Sequence, residues 1–202
     1  MNVTSNNSNS TININSPLAT SYFSNMFLSH LKNSYTNEHD EIIILCIGTD
    51  RSTGDSLGPL TGYKMQKVLS RFKNVYVYGT LNDPVHAKNL EENIKKIYSS
   101  HKKPFIIAID ACLGKVDRVG YLTVSHGPIK PGAGVKKNLP LVGDMHITGI
   151  VNLGGFMEYI VLQNTRLSLV MNMAETISSA IYLGLWKFIR EIDAKKEQFN
   201  LS

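Results

Sequence analysis

The run Ile42-Ile43-Ile44-Leu45-Cys46-Ile47-Gly48 decides the fold class. It is continuously apolar and rich in β-branched residues, with no polar alternation. That is the pattern of a strand covered on both faces. A polar, glycine-containing loop follows. From Asp55 to Phe72 the period changes, and Leu57, Leu60, Met65, Val68, Leu69 and Phe72 recur at helical spacing. Gly58 and Gly62 stand four apart on one face of that helix, which predicts a close seat on the sheet. A second buried run, Phe105-Ile106-Ile107-Ala108-Ile109, ends at Asp110.

Working outward, Val75 to Gly79 reads as a short strand. Asp83-Pro84 reads as the start of a helix striped by Val85, Leu90, Ile94 and Ile97. Val119 to Ser125 alternates like a strand, and Gly127 to Gly143 is a Pro/Gly loop. Gly155 to Gln163 is expected to be a helix, Arg166 to Met171 the last strand and Ala174 to Ile192 the last helix. Strands alternating with helices imply a three-layer α/β/α sandwich around a mostly parallel twisted sheet of about five strands.

The chain of 202 residues is the size of one domain. Met1 to Ser16 is almost wholly Asn, Ser and Thr, and reads as a disordered tail. Ser16-Pro17 suits a helix start, so residues 17–31 are expected to be an amphipathic helix opening a single domain over 17–194, with a C-terminal tail over 195–202. Two cysteines exclude a disulfide scaffold and a multi-Cys zinc site. The net charge of +5 comes without a dense Lys/Arg run, so neither a nucleic-acid nor a membrane partner is expected. A homo-oligomer is compatible with this composition. No secretory signal is visible, which points to a cytoplasmic protein.

Ligands of open α/β sheets bind beyond the carboxyl ends of the strands. The residues just after the strands are Gly48 to Pro59, Gly79 to Asp83 and Asp110-Ala111-Cys112. Asp55 suits helix capping or catalysis. Asp110 ends an apolar strand, where an unpaired charge is costly. Two carboxylates at one site push one pKa up, so that the pair can act as acid and base. Asp55 and Asp110 are therefore the candidate pair, expected to face each other across the sheet edge. The first loop lacks the endings of a P-loop or a dinucleotide fingerprint. Cys46 reads as core, as does Cys112 despite His126 and His146 later in the chain. A metal held by Asp55, Asp110 and His146 is chemically reasonable but not signalled by spacing, and no cofactor is expected.

Three motifs carry a resemblance. Thr53-Gly54-Asp55-Ser56-Leu57-Gly58-Pro59 resembles the TPDxLGP signature of the bacterial spore germination protease. Ile107-Ala108-Ile109-Asp110-Ala111 resembles its second acidic motif, and Gly127 to Val135 its GIHPGSGV loop. From Glu41 to the last helix the chain is most similar to the YyaC-type sporulation proteins, a shorter branch grouped with the spore proteases; Gly154 to Tyr159 and Leu162 to Val170 are particularly close. The resemblance implies an atypical aspartic endopeptidase with Asp55 and Asp110 as catalytic acids. Gly54, Pro131, Gly132 and Gly134 would line the substrate, and small acid-soluble spore proteins are the implied substrates, within the forespore or spore core. Position 54 is Gly where the germination protease has Pro, and the chain is shorter, without a propeptide. The alternative is a non-catalytic sporulation factor on the same fold. That fold is also similar to the hydrogenase maturation proteases, whose corresponding acids and a later His hold nickel; here these would be Asp55, Asp110 and His146.

Overall fold

A computed structural model describes residues 10–132 and 139–200. Six strands, β1 (Ser10–Asn13), β2 (Glu41–Cys46), β3 (Val75–Tyr78), β4 (Pro104–Gly114), β5 (Tyr121–His126) and β6 (Met145–Leu153), form one sheet in the order β1-β5-β6-β4-β2-β3. The four strands β3, β2, β4 and β6 run parallel. β5 and β1 extend the sheet antiparallel, each to its neighbour. The helices are α1 (Ala19–Ser34), α2 (Leu57–Leu69), α3 (Leu90–Ser100), α4 (Glu158–Gln163) and α5 (Leu167–Asn200).

The unbroken apolar strands are covered on both faces, as their sequences require. On one face Ile42, Ile44, Cys46, Phe105, Ile107 and Ile109 pack against Phe23, Phe27 and Leu31 of α1, the apolar side of α2, and Val170 to Phe188 of α5. On the other, Ile43, Leu45, Ile47, Ile106 and Ala108 meet Leu90 and Ile97 of α3 together with Val85, Leu139 and Val142 from loops. The sandwich is thus three-layered and lopsided, with most helical mass on one side. Each fully buried Leu, Ile or Phe contributes about 1.5–3 kcal/mol relative to exposure.

Gly58 and Gly62 do sit on the sheet. A Cβ on Gly58 would fall 2.1 Å from Ile47 O, and one on Gly62 would fall 2.1 Å from Gly79 O. This close approach brings the start of α2 directly over the carboxyl end of β2.

The structure corrects the sequence reading in several places. Arg166 to Met171 is not a strand: Leu167 to Met171 forms the first turns of α5, with Val170, Met173, Ala174 and Ile177 buried and Leu167 exposed. In so short a window an apolar alternation at 167, 169 and 171 fits either period. The missing strand is β6, where Met145, Ile147 and Val151 are buried in alternation. Gly149 interrupts its pattern because a Cβ there would meet Leu57 Cδ2 at 2.5 Å and Met173 Cε at 2.7 Å. The expected disordered tail is ordered from Ser10. β1 pairs with β5, and Ile12 and Ile14 pack against the core. Composition cannot report this, because an edge strand is stabilised by the ladder it joins. Residues 1–9 lie outside the described residues.

The helix expected from residue 17 is α1; its buried stripe is Phe23, Phe27 and Leu31, while Leu18 and Tyr22 are exposed. The helix expected from Asp83 begins only at Leu90. Val85 instead forms a parallel bridge with Ile47, and Asn89 ties the turn by donating from Nδ2 to Pro84 O (3.0 Å). α4 begins at Glu158 rather than Gly155, and α5 runs to Asn200 where a tail was expected from 195. No helix among the described residues is long and apolar enough to cross a membrane.

Candidate active site

β2 and β4 end at different heights, and the acids stand at the step. Cys46 pairs with Ile109, and Ile47 N–H donates to Ile109 O (2.7 Å). Asp110 is the next residue of β4, which continues to Gly114 against β6 alone. After β2 the chain turns back at Gly48, whose φ of +146° and lack of a side chain let Asp55 O approach; a Cβ there would lie 2.0 Å from that oxygen. Thr49 N–H also donates to Asp55 O (3.1 Å). Asp55 lies in a single 3₁₀ turn, Gly54–Ser56, that leads into α2. Neither this turn nor α2 is capped by a side chain, so the capping role that the sequence allowed Asp55 is not the one it fills. Burial pushes its carboxyl above the usual carboxylate range.

Asp110 is 7% exposed. Its Oδ1 accepts from Ala111 N–H (2.9 Å) and its Oδ2 from Gly132 N–H (3.2 Å). Burial raises its pKa to about 7; the Gly132 amide opposes this, the charge of Asp55 adds to it, and the Ala111 amide opposes it again. Desolvation and a like charge thus outweigh two backbone donors. Burial, with the Asp55 charge adding to it, keeps the Asp110 carboxyl protonated to a higher pH than an ordinary carboxylate.

The expected residues are placed as follows. Gly132, from the Pro/Gly loop, reaches Asp110 through its amide, and Pro131 beside it is buried. Gly134 lies outside the described residues. Gly54 is buried against α4, where a Cβ would meet Leu162 Cδ2 at 2.7 Å and Thr165 Oγ1 at 3.0 Å. This contact leaves room only for glycine at position 54. Asp50 and Asp83 face solvent. His146 lies on β6, level with Ala108, and its Nδ1 pairs with Gly127 O (2.9 Å). Among the described residues no three His, Cys, Asp or Glu side chains stand close enough to hold a metal. Asp55, Asp110 and His146 therefore do not fit a nickel site.

One neighbour of Asp110, Thr148, was not legible as such. Thr148 stands opposite it in register on β6, and its side chain is hydrogen-bonded to Cys112. Burial and the Asp110 charge push the Cys112 thiol up to about 11, away from the thiolate a nucleophile needs. Thr148 carried no signal because its strand was unrecognised.

A family model described as "Protein of unknown function (DUF1256)" matches residues 11–180. The chain belongs to this family. It is 61% identical over 143 residues to the uncharacterized protein YyaC of Bacillus subtilis strain 168, covering 70% of this chain and 68% of that protein. Among solved structures it is similar to the NiFe hydrogenase maturation protease HycI from Thermococcus kodakarensis KOD1. The TM-score there is 0.46 at 17% identity, covering 75% of this chain and 97% of the other.

Proposed function

We propose that this DUF1256 protein is an endopeptidase that uses Asp55 and Asp110 as its acid–base pair. The observation that supports the reading is the buried Asp110 carboxyl, held at the carboxyl edge of the sheet with a pKa of about 7 and sensing the charge of Asp55. Near neutral pH Asp110 supplies the proton and Asp55, the more exposed of the two, supplies the base. In the first step Asp55 takes a proton from a water molecule as its oxygen attacks the peptide carbonyl carbon. In the second the C–N bond breaks and Asp110 gives its proton to the departing amine nitrogen. Asp55 then holds a proton and Asp110 a charge, and exchange with solvent restores the starting state. The Gly132 amide steadies the Asp110 carboxylate that the second step creates.

The motif resemblance extends the proposal to small acid-soluble spore proteins as substrates, inside the sporulating cell. The test is incubation of the purified protein with these proteins, followed by mass spectrometry of the products. Discrete fragments that disappear with Asp110→Asn support the reading. Intact substrate bound by both forms would identify a non-catalytic binding protein.

A further inference from the structure

Asp55 depends on its backbone for its aim. Among the described residues no hydrogen bond reaches its carboxylate, so the 3₁₀ turn Gly54–Ser56 sets where the acid stands. Within the turn Ser56 Oγ donates to Thr53 O (2.6 Å), and Thr49 N–H donates to Asp55 O (3.1 Å). From outside, the turn is backed by Leu162 of α4 and by Thr165 just after it. Both are buried, and both stand too close to Gly54 to leave space for a side chain there.

α4 is only six residues long, too short to hold itself in water, and it is tied to β6. Val161 O is one of its last carbonyls, which a helix end leaves without an intrahelical partner. Thr165 N–H donates to Leu162 O instead (3.3 Å). Two side chains take its place. Thr165 Oγ1 donates to Val161 O (2.9 Å), and Asn152 Nδ2 donates to Val161 O and to Thr165 Oγ1 (both 3.2 Å). Asn152 Oδ1 accepts from Leu153 N–H (2.8 Å), so both ends of the amide are engaged and its orientation is fixed.

The strand is shaped for this contact. Ile150 stands level with Cys112 and Asn152 with Leu113, so β6 carries one extra residue, Val151, at that step. Such a bulge increases the local twist and re-aims a side chain, and bulges are over-represented next to active sites. Asp110 lies on the partner strand two residues before the shift. We propose that Asn152 is a positioning residue for Asp55: through Thr165 and Leu162 it holds α4 on Gly54 and so fixes the turn that carries the acid. The reaction it serves rests on the peptidase reading, whereas the positioning itself is measurable without catalysis.

The test follows Asp110 by ¹³C NMR titration in the full-length protein and, in parallel, the cleavage kinetics. In Asn152→Ala the turn loses its backing, and the Asp110 midpoint moves part of the way from its wild-type value toward that of Asp55→Asn. In an Asp55→Asn background Asn152→Ala adds no further shift, because the double-mutant cycle isolates what passes through Asp55. In the cleavage assay kcat falls at least about tenfold while KM stays within about twofold. Thr165→Val keeps the packing volume but loses the hydroxyl; it behaves as Asn152→Ala does, and it carries the test if Asn152→Ala does not fold. Thr165→Ser, which keeps the hydroxyl, restores the wild-type midpoint. A midpoint unmoved in both Asn152→Ala and Thr165→Val, or one that shifts equally with and without Asp55, overturns the proposal and leaves the network a structural tie. The two readings fail separately. A midpoint shift that requires Asp55, in a protein that cleaves nothing, refutes the peptidase and leaves the positioning. Cleavage slowed by neither variant refutes the positioning and leaves the peptidase.

Discussion

Asp110→Asn is expected to stabilise the protein at alkaline pH while removing its proposed activity. In the folded chain burial lifts the Asp110 carboxyl from the ordinary 3.8 to about 7. A folded-state pKa above the unfolded one means that the contribution to stability is complete below 3.8 and is lost as pH rises through about 7. An interval of about 3 pH units at ~1.36 kcal/mol each makes the loss about 4 kcal/mol by pH 8. Asp55 is raised as well and adds in the same direction. Asn does not titrate, so it escapes the loss. Its single oxygen replaces only one of the two acceptors used by Ala111 N–H and Gly132 N–H, at a cost of about 1 kcal/mol. The variant is therefore about 3 kcal/mol more stable than wild type at pH 8 and about 1 kcal/mol less stable at pH 4, with the curves crossing near about pH 4.5. Urea unfolding followed by circular dichroism across this range measures both curves. A wild-type stability that is flat from pH 4.5 to pH 8, or an Asn variant weaker than wild type at pH 8, would refute the buried proton-holding acid.

Two further outcomes test how the site is positioned. Gly58→Ala places a methyl group 2.1 Å from Ile47 O, so backbone must move; a loss of at least about 2 kcal/mol is expected in the same unfolding assay, and a neutral result would show that α2 does not sit on β2 as described. Deleting the chain through Ser16 removes β1 from β5 and strips Ile12 and Ile14 from the core, so the thermal midpoint falls by several degrees, whereas an unchanged midpoint would mean that β1 contributes nothing.

The parallel centre of the sheet was legible because Ile42 to Ile47 and Phe105 to Ile109 have only one reading: an unbroken apolar run needs cover on both faces. The placement of Asp55 and Asp110 at the carboxyl edge was legible for the same reason, since both follow such strands and topology alone brings them there. What failed were segments whose structure depends on distant partners. β1 is polar and is held by β5; β6 hides its alternation behind Gly149, which is glycine to admit Leu57 and Met173. Without β6, Thr148 opposite Asp110 could not be placed. The start of α5 was misread because Leu167, Leu169 and Met171 alternate while the helical partners that decide the matter, Val170, Met173 and Ala174, come between and after them.

The pairing of Asp55 with Asp110 is tested most directly by titrating the Asp110 side-chain carboxyl carbon with ¹³C NMR, in the wild type and in Asp55→Asn. The account predicts a midpoint of about 7 in the wild type and a lower one once the Asp55 charge is gone, with the fold retained. An Asp110 midpoint in the ordinary carboxylate range, or one unmoved by Asp55→Asn, would contradict it.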